Sequence, residues 1–363
     1  MSIVSPWARL VSSRLAACGL SVHVVDFQPW GRSSGYLDPS DLNQSESINE
    51  FRTMLASVNI VRAPRALAFR LAYAAQQLRS IVHRCGSDVL LTLSGGSDAA
   101  IAYLSGIRPY VVYVAGSDVL LAGWPQRQAG RFTLAGAAGV VANGKHLAAR
   151  TLVVAPAASV NAWYHGIDVG FFRLAEAPVT APRFACARPF LPVYDNATII
   201  RACGLLRHPP RDLDVSFLSF GPLLSQSMAL ADAVIAKEWR DQVRFVGWVS
   251  DTGMLDALHS ASCYVSASLS DGTSTSLLEA MACGLFPIVS DIPANREWIV
   301  DGENGMLFRP GDHVALAGCL ERAMSERAWM SSPARETNRR LVEERANIDT
   351  NMQALSDLLN SLC

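Results

Sequence analysis

Residues 270–291 read SDGTSTSLLEAMACGLFPIVSD. A small polar turn containing Gly272 opens onto a run of helical composition. Thr273 or Ser274 stands where a first-turn amide is capped, and Gly284 supplies a left-handed stop. The apolar strand CYVSAS (263–268) precedes the turn, and LFPIVSD (285–291) follows the helix at once. Strand, turn, helix and strand in so short a span make one unit of a parallel sheet with crossover helices. In such a sheet a helix that starts at the carboxyl end of a strand presents unpaired N–H groups and a favourable dipole to an anion. Glu279 interrupts Leu277, Leu278, Ala280 and Met281. Either it lies on an exposed edge or it meets ligand hydroxyls, because a buried carboxylate without donors is costly. Asp271 is likewise either a turn residue or a ligand contact.

The same alternation runs along the whole chain. Strands are expected at 21–27, 87–94, 109–116, 138–144 and 159–166, then at 183–189, 214–221, 242–249, 263–268, 285–291 and 304–310. At 363 residues, two successive α/β units fit better than one core. The stretch RLAEAPVTAPRF (173–184) has little periodicity and marks the boundary. The expected organisation is a first domain over 1–172, a second over 173–345 and a final helical segment over 346–363.

Composition narrows the function classes. Half the residues are hydrophobic and 17% are charged, so the chain is globular. No apolar run is long enough to span a bilayer, and the N-terminus lacks the pattern of a secretory signal. The eight cysteines have no metal-ligand spacing, which points to reduced thiols and a cytoplasmic setting. Net charge is −1, so nucleic acid is not an expected partner. The charge is uneven: residues 1–180 hold 15 Arg/Lys and 10 Asp/Glu, and residues 181–363 hold 16 and 22.

The segment 270–291 resembles the signature of retaining GT-B glycosyltransferases, the "glycosyl transferases group 1" or family 4. That signature is two glutamates with seven residues between them; Asp271 and Glu279 fall on the two positions. NREWI (295–299), DGENGMLF (301–308), FVGWVSDTGMLDALHSASCYVSAS (245–268) and CARPFLPVYDNATIIRACGLL (186–206) resemble the family's pattern as well, and YHGIDVGFF (164–172) and RPYVVYVAGSDVLL (108–121) extend the likeness into the first half. The resemblance implies an α/β GT-B fold, with two Rossmann-like domains facing a central cleft. It implies transfer of a sugar from a UDP- or GDP-sugar to a glycan or lipid-linked acceptor in cell-surface polysaccharide synthesis, with retained configuration and no metal or other cofactor. By the same resemblance Glu279 contacts ribose, Asp271 the donor sugar, Arg188 the diphosphate, and Gly272, Thr273 and Ser274 cradle the sugar-diphosphate. Val246 lies in the base-binding loop.

The chain departs from the pattern in places. The leading carboxylate is the shorter Asp271, and Tyr194 stands near the position of a usual lysine. The chain opens MSIVSPW, so either the first sheet has a short edge or the true start lies upstream. Ser94 and Gly95 occupy a region where a histidine is common. Asp118 follows a strand and is either a catalytic acceptor contact or a helix cap, and His165 is either a cleft residue or a satisfied interface histidine. These departures keep a second function open, a catalytically silent sugar-nucleotide or glycan-binding subunit. Finally, residues 62–84 (RAPRALAFRLAYAAQQLRSIVHR) contain no acid. Leu67, Leu71, Leu78 and Val82 fall within a stripe of about 60°, with Arg62, Arg65, Arg70, Arg79 and Arg84 spread over the other side. That helix is either a solvated basic face or a peripheral contact with anionic membrane at the cytoplasmic surface.

Overall fold

The computed structural model describes residues 6–29, 57–63, 67–207, 209–326 and 333–363. The chain forms two compact units, Met1–Trp163 with Asp349–Cys363, and Tyr164–Ile348.

The second unit is a six-stranded sheet of β7 (Arg183–Cys186), β8 (Asp214–Phe217), β9 (Val243–Phe245), β10 (Cys263–Ser266), β11 (Phe286–Ser290) and β12 (Met306–Phe308). Every pairing is parallel, and the order is β12-β11-β10-β7-β8-β9. Counted within the unit, this is the doubly wound order, which reverses direction between its first and fourth strands. Strand periodicity feeds two cores. On β7, Phe184 and Cys186 enter one core with Ile199, Val215 and Leu316. Ala185, and Ala187 just past the strand, enter the other, with Tyr264, Leu278, Met281 and Val342. Burial on both faces is why these strands read as unbroken apolar runs.

The reversal lies between β7 and β10, which pair through Phe184 with Cys263 and Ala185 with Tyr264. Chains leaving neighbouring strands there part in opposite directions and open a crevice at their carboxyl ends. Arg188 follows β7, and the 270–274 turn follows β10.

The first unit holds a parallel pair, β1 (His23–Pro29) with β2 (Ser57–Ala63), and a parallel sheet β3 (Leu90–Thr92), β4 (Tyr110–Val114), β5 (Gly139–Asn143) and β6 (Val160–Trp163) in sequential order. Its core gathers Tyr110, Val112, Val114, Leu134, Val140 and Leu147. The C-terminal helix Ile348–Asn360 is held to this unit where the Trp163 indole N–H donates to the Asn351 carbonyl at 3.1 Å and Arg14 pairs with Asp349.

Two expectations shift. The division falls after Trp163, ahead of 172/173, because Tyr164–Phe172 packs into the second unit. Ile167 and Phe172 are buried there, and Ile167 exchanges backbone hydrogen bonds with Ala346 and Ile348. The helix expected over 62–84 spans Leu67–Cys85. Arg62 belongs to β2, Arg65 lies outside the described residues, and Arg79 donates its Nε to the Ser105 carbonyl at 2.7 Å. Phe69 and Tyr73 are exposed on it. Among the described residues, no helix is long and apolar enough to cross a membrane.

Candidate active site

The helix Thr275–Ala282 begins at the carboxyl end of β10, capped by Ser274, whose hydroxyl accepts the Leu277 N–H at 3.3 Å. Its apolar residues Leu277, Leu278, Ala280 and Met281 are fully buried, which fixes how the helix sits and where its N-terminus points. Tyr264 of β10 shares a hydrogen bond of 2.7 Å with Ser276 and ties strand to helix.

Arg188 closes onto this N-terminus. One guanidinium nitrogen, Nη1, donates to Ser274 Oγ at 2.9 Å, and Nη2 donates to Asp271 Oδ2 at 2.6 Å. Both side chains are largely buried, 9% and 16% exposed, so the pair is poorly screened. The guanidinium carbon lies 3.8 Å from the centre of the Tyr194 ring, close enough for a cation–π contact. The Asn196 amide donates to the Arg188 and Pro189 carbonyls at 3.1 and 3.2 Å and holds the segment that carries the arginine. Arg188 Nε is buried and has no hydrogen-bond partner among the described residues. A buried, unsatisfied, positively charged donor at a helix N-terminus is suited to an anionic oxygen.

Burial pushes the Asp271 carboxyl above its usual value, and Arg188 and the Gly272 N–H pull it only part of the way back. Glu279 is half-buried, and its carboxyl is pushed up to about 7, chiefly by burial and then by Asp251, against the pull of Arg188. Gly272, Thr273 and Ser274 are buried in the turn. His165 is buried with its Nε2 2.8 Å from Thr275 Oγ1, and burial lowers it to about 4, so the ring is neutral near pH 7. It therefore supports the first residue of the helix. At the end of β9, Val246 is exposed and its N–H donates to the Phe217 carbonyl at 2.9 Å.

The sequence-predicted residues thus form two groups. Arg188, Tyr194, Asp271, Ser274 and Glu279 converge in the second unit, with His165 against Thr275 at the start of the helix. Ser94, Gly95 and Asp118 converge in the first. There the Asp118 carboxylate accepts N–H bonds from Gly95 at 2.6 Å, Gly116 at 2.8 Å and Ala115 at 3.4 Å. Ser94 Oγ accepts the Gly96 N–H at 3.1 Å. Asp118 stands in the first turn of the helix Ser117–Leu120 and caps none of its amides; its carboxylate braces the loops after β3 and β4. Sequence reasoning did not weigh Asp251, whose charge reaches Glu279, or Trp248, which is exposed beyond β9 beside Gly247 at φ +84°. An aromatic next to a glycine turn at a strand's carboxyl end was the available signal for Trp248. Among the described residues no three His, Cys, Asp or Glu side chains converge to hold a metal ion.

Residues 188–326 match the family described as Glycosyl transferases group 1. The chain is 38% identical over 81 residues to a phosphatidyl-myo-inositol mannosyltransferase of Mycobacterium leprae, covering 22% of each protein. It is 33% identical over 124 residues to the putative glycosyltransferase EpsD of Bacillus subtilis, covering 34% of this chain and 31% of that one. The matched stretch is therefore less than a third of the length of either relative. Among solved structures, sucrose-phosphate synthase of Thermosynechococcus elongatus superposes with a TM-score of 0.78 at 16% identity, over 98% of this chain and 92% of that one. Anabaena HepE in complex with UDP superposes with a TM-score of 0.73 at 14% identity, over 93% and 100%. At these identities the likeness is one of fold, and the fold is GT-B.

Proposed function

We propose that this chain, which carries a Glycosyl transferases group 1 domain over 188–326 on a GT-B fold, is a retaining glycosyltransferase using a nucleotide-diphosphate sugar. The observation that carries the reading is Arg188, buried at the strand-order reversal with its fork on the cap of an anion-facing helix. The donor diphosphate lies across that N-terminus. Arg188 and the turn amides stabilise the charge that develops as the nucleoside diphosphate departs, where water is largely excluded. Glu279 takes the ribose hydroxyls, Asp271 the donor sugar, and Tyr194 holds the guanidinium plane in place of a second cation. The neutral His165 fixes the helix start.

The acceptor is a glycan or a lipid-linked saccharide at the cytoplasmic face, in surface polysaccharide assembly, and the transfer needs no metal. The match to a protein named for mannosyl transfer to phosphatidyl-myo-inositol supports a lipid acceptor, and the HepE complex with UDP supports the donor class. The test is transfer from a panel of UDP- and GDP-sugars to lipid and glycan extracts, with Arg188→Ala and Glu279→Ala alongside. One donor turned over by wild type and by neither variant supports the assignment.

A second reading, a silent sugar-nucleotide-binding subunit, draws on one feature: the cation of the site is closed onto Asp271 and is followed by Tyr194. Donor binding without turnover on any acceptor favours it.

A further inference from the structure

The loops that follow β7 and β8 are tied together. The Phe190 N–H donates to the Phe220 carbonyl at 3.0 Å, and the Leu223 N–H donates to the Phe190 carbonyl at 3.1 Å. Phe190 and Leu223 also line a cavity of about 480 Å³ between the helices Asn196–Leu205 and Leu224–Val234. Small-molecule sites span roughly 300–1,000 Å³, so the cavity is large enough for one. Arg188, Tyr194, Asp271, Ser274 and Glu279 do not line it, which sets it apart from the nucleotide crevice.

The polar side chains of the lining are Asp195, Asn196, Arg201, Gln226 and Ser227. Asn196 is 4% exposed, and its amide nitrogen is spent on the Arg188 and Pro189 carbonyls. Its Oδ1 is buried and has no hydrogen-bond partner among the described residues. An orphaned acceptor in a cavity wall calls for an O–H or N–H donor. Ser227, 6% exposed, carries a hydroxyl that can donate and accept, Gln226 an amide that can do both, and Arg201 a fork of donors. Neither helix has a side-chain cap, so first-turn N–H groups add donors. Asp195 holds φ +42°, a positive value found at no other non-glycine among the described residues. Strain of that kind persists where the surroundings over-determine it, often at ligand sites. One arginine and one aspartate leave the lining neutral, so an anion drawn by Arg201 meets Asp195, and a cation drawn by Asp195 meets Arg201. Leu191, Leu223 and Leu230 supply apolar walls. A neutral lining of mixed donors and acceptors over apolar walls complements an uncharged polyhydroxylated molecule, whose hydroxyls donate and accept and whose ring carbons present C–H faces.

We propose that this cavity is a second ligand site, which takes an uncharged saccharide of one or two rings away from the place where donor and acceptor react. Asp195 and Asn196 Oδ1 accept from its hydroxyls, Arg201 and Gln226 donate to them, and the leucines pack against a ring face. These polar groups stand at the starts of two packed helices, so they are positioned before any ligand arrives. Binding here needs neither nucleotide nor transfer, so it stands or falls apart from the enzymatic reading.

The experiment is ligand-observed proton NMR of the full chain with maltose, cellobiose, lactose and trehalose as probes, and isothermal titration with inorganic phosphate beside it. Wild type is expected to bind at least one of the disaccharides saturably. Arg201 and Gln226 are exposed, so an R201A/Q226A variant should fold and bind that sugar at least about tenfold more weakly, because hydrogen bonds to a charged and a neutral donor are both lost. Ala229 lines the cavity from an exposed helix position, and Ala229→Trp should abolish binding by filling it. Glu279→Gln, in the nucleotide crevice, should bind the sugar as wild type does. Melting temperature is measured for every variant. Wild type that binds none of the four sugars overturns the proposal, as do R201A/Q226A and Ala229→Trp variants that bind like wild type. Sugar binding lost in Glu279→Gln and kept in Ala229→Trp overturns it by placing the sugar in the crevice. Phosphate bound in place of sugar, and lost in R201A/Q226A, overturns it by making the cavity an anion site.

Discussion

Replacing Glu279 by Gln should stabilise the protein while harming its site. The carboxyl titrates at about 7 in the folded chain, against a usual 4.5, chiefly because folding buries it and secondarily because the Asp251 charge reaches it. The sign follows from which state holds the proton. Below 4.5 both states are protonated and there is no cost. As pH rises from 4.5 towards 7 the unfolded chain gives up the proton while the folded one keeps it, and stability falls. Above about 7 the folded state carries the full cost, about 3 kcal/mol for that difference in titration point. Gln has the same shape and no charge to desolvate. Urea denaturation followed by circular dichroism should therefore show the Glu279→Gln variant more stable than wild type by up to about 3 kcal/mol at pH 8, with the gap closing towards pH 4. Its affinity for UDP should fall by at least about tenfold, because hydrogen bonds to a charged acceptor are lost. A stability difference that is the same at every pH, or a variant less stable at pH 8, refutes the reasoning.

Three further outcomes follow from the geometry. Arg188→Ala strands the buried Asp271 carboxylate and should cost about 3–5 kcal/mol by calorimetry, while Arg188→Lys should keep most of the stability and lose UDP affinity by at least about tenfold, because a point charge replaces a fork. His165 titrates at about 4 against a usual 6.5, so its folded state refuses a proton; stability is complete above 6.5 and is lost as pH falls through 4. His165→Gln should flatten that acid limb by about 3 kcal/mol in melts at pH 4 compared with pH 7. Gly166 has φ +79°, and a Cβ there would lie 2.7 Å from the Ala346 carbonyl oxygen. Gly166→Ala should therefore cost more than about 2 kcal/mol in thermal unfolding of the second unit.

The second unit was legible in the sequence because its strands are buried on both faces. Phe184 to Cys186 and Phe286 to Ser290 read as strands for the reason that two helical layers cover them. β2 was not legible: SVNIVRA ends in Arg62 and Ala63, which read equally well as the start of the following basic helix. The division after Trp163 escaped composition because its cause is packing, with Ile167 bonded to residues near the far end of the chain. In the site, Arg188, Asp271 and Glu279 came from resemblance to a signature. The closure of Arg188 on Asp271 did not, since those residues meet only through the strand-order reversal. Asp118 shows the opposite limit: a carboxylate after a strand looks alike whether it serves a ligand or three backbone amides.

The central claim is that the crevice between β7 and β10 holds a nucleotide-diphosphate sugar on Arg188. Isothermal titration of the full chain with a panel of UDP- and GDP-sugars tests it most directly, with Arg188→Lys as the matched control. Saturable one-to-one binding of at least one donor, lost or strongly weakened in Arg188→Lys, is the predicted result. Wild type that binds none of the donors, or Arg188→Lys that binds as tightly as wild type, contradicts it.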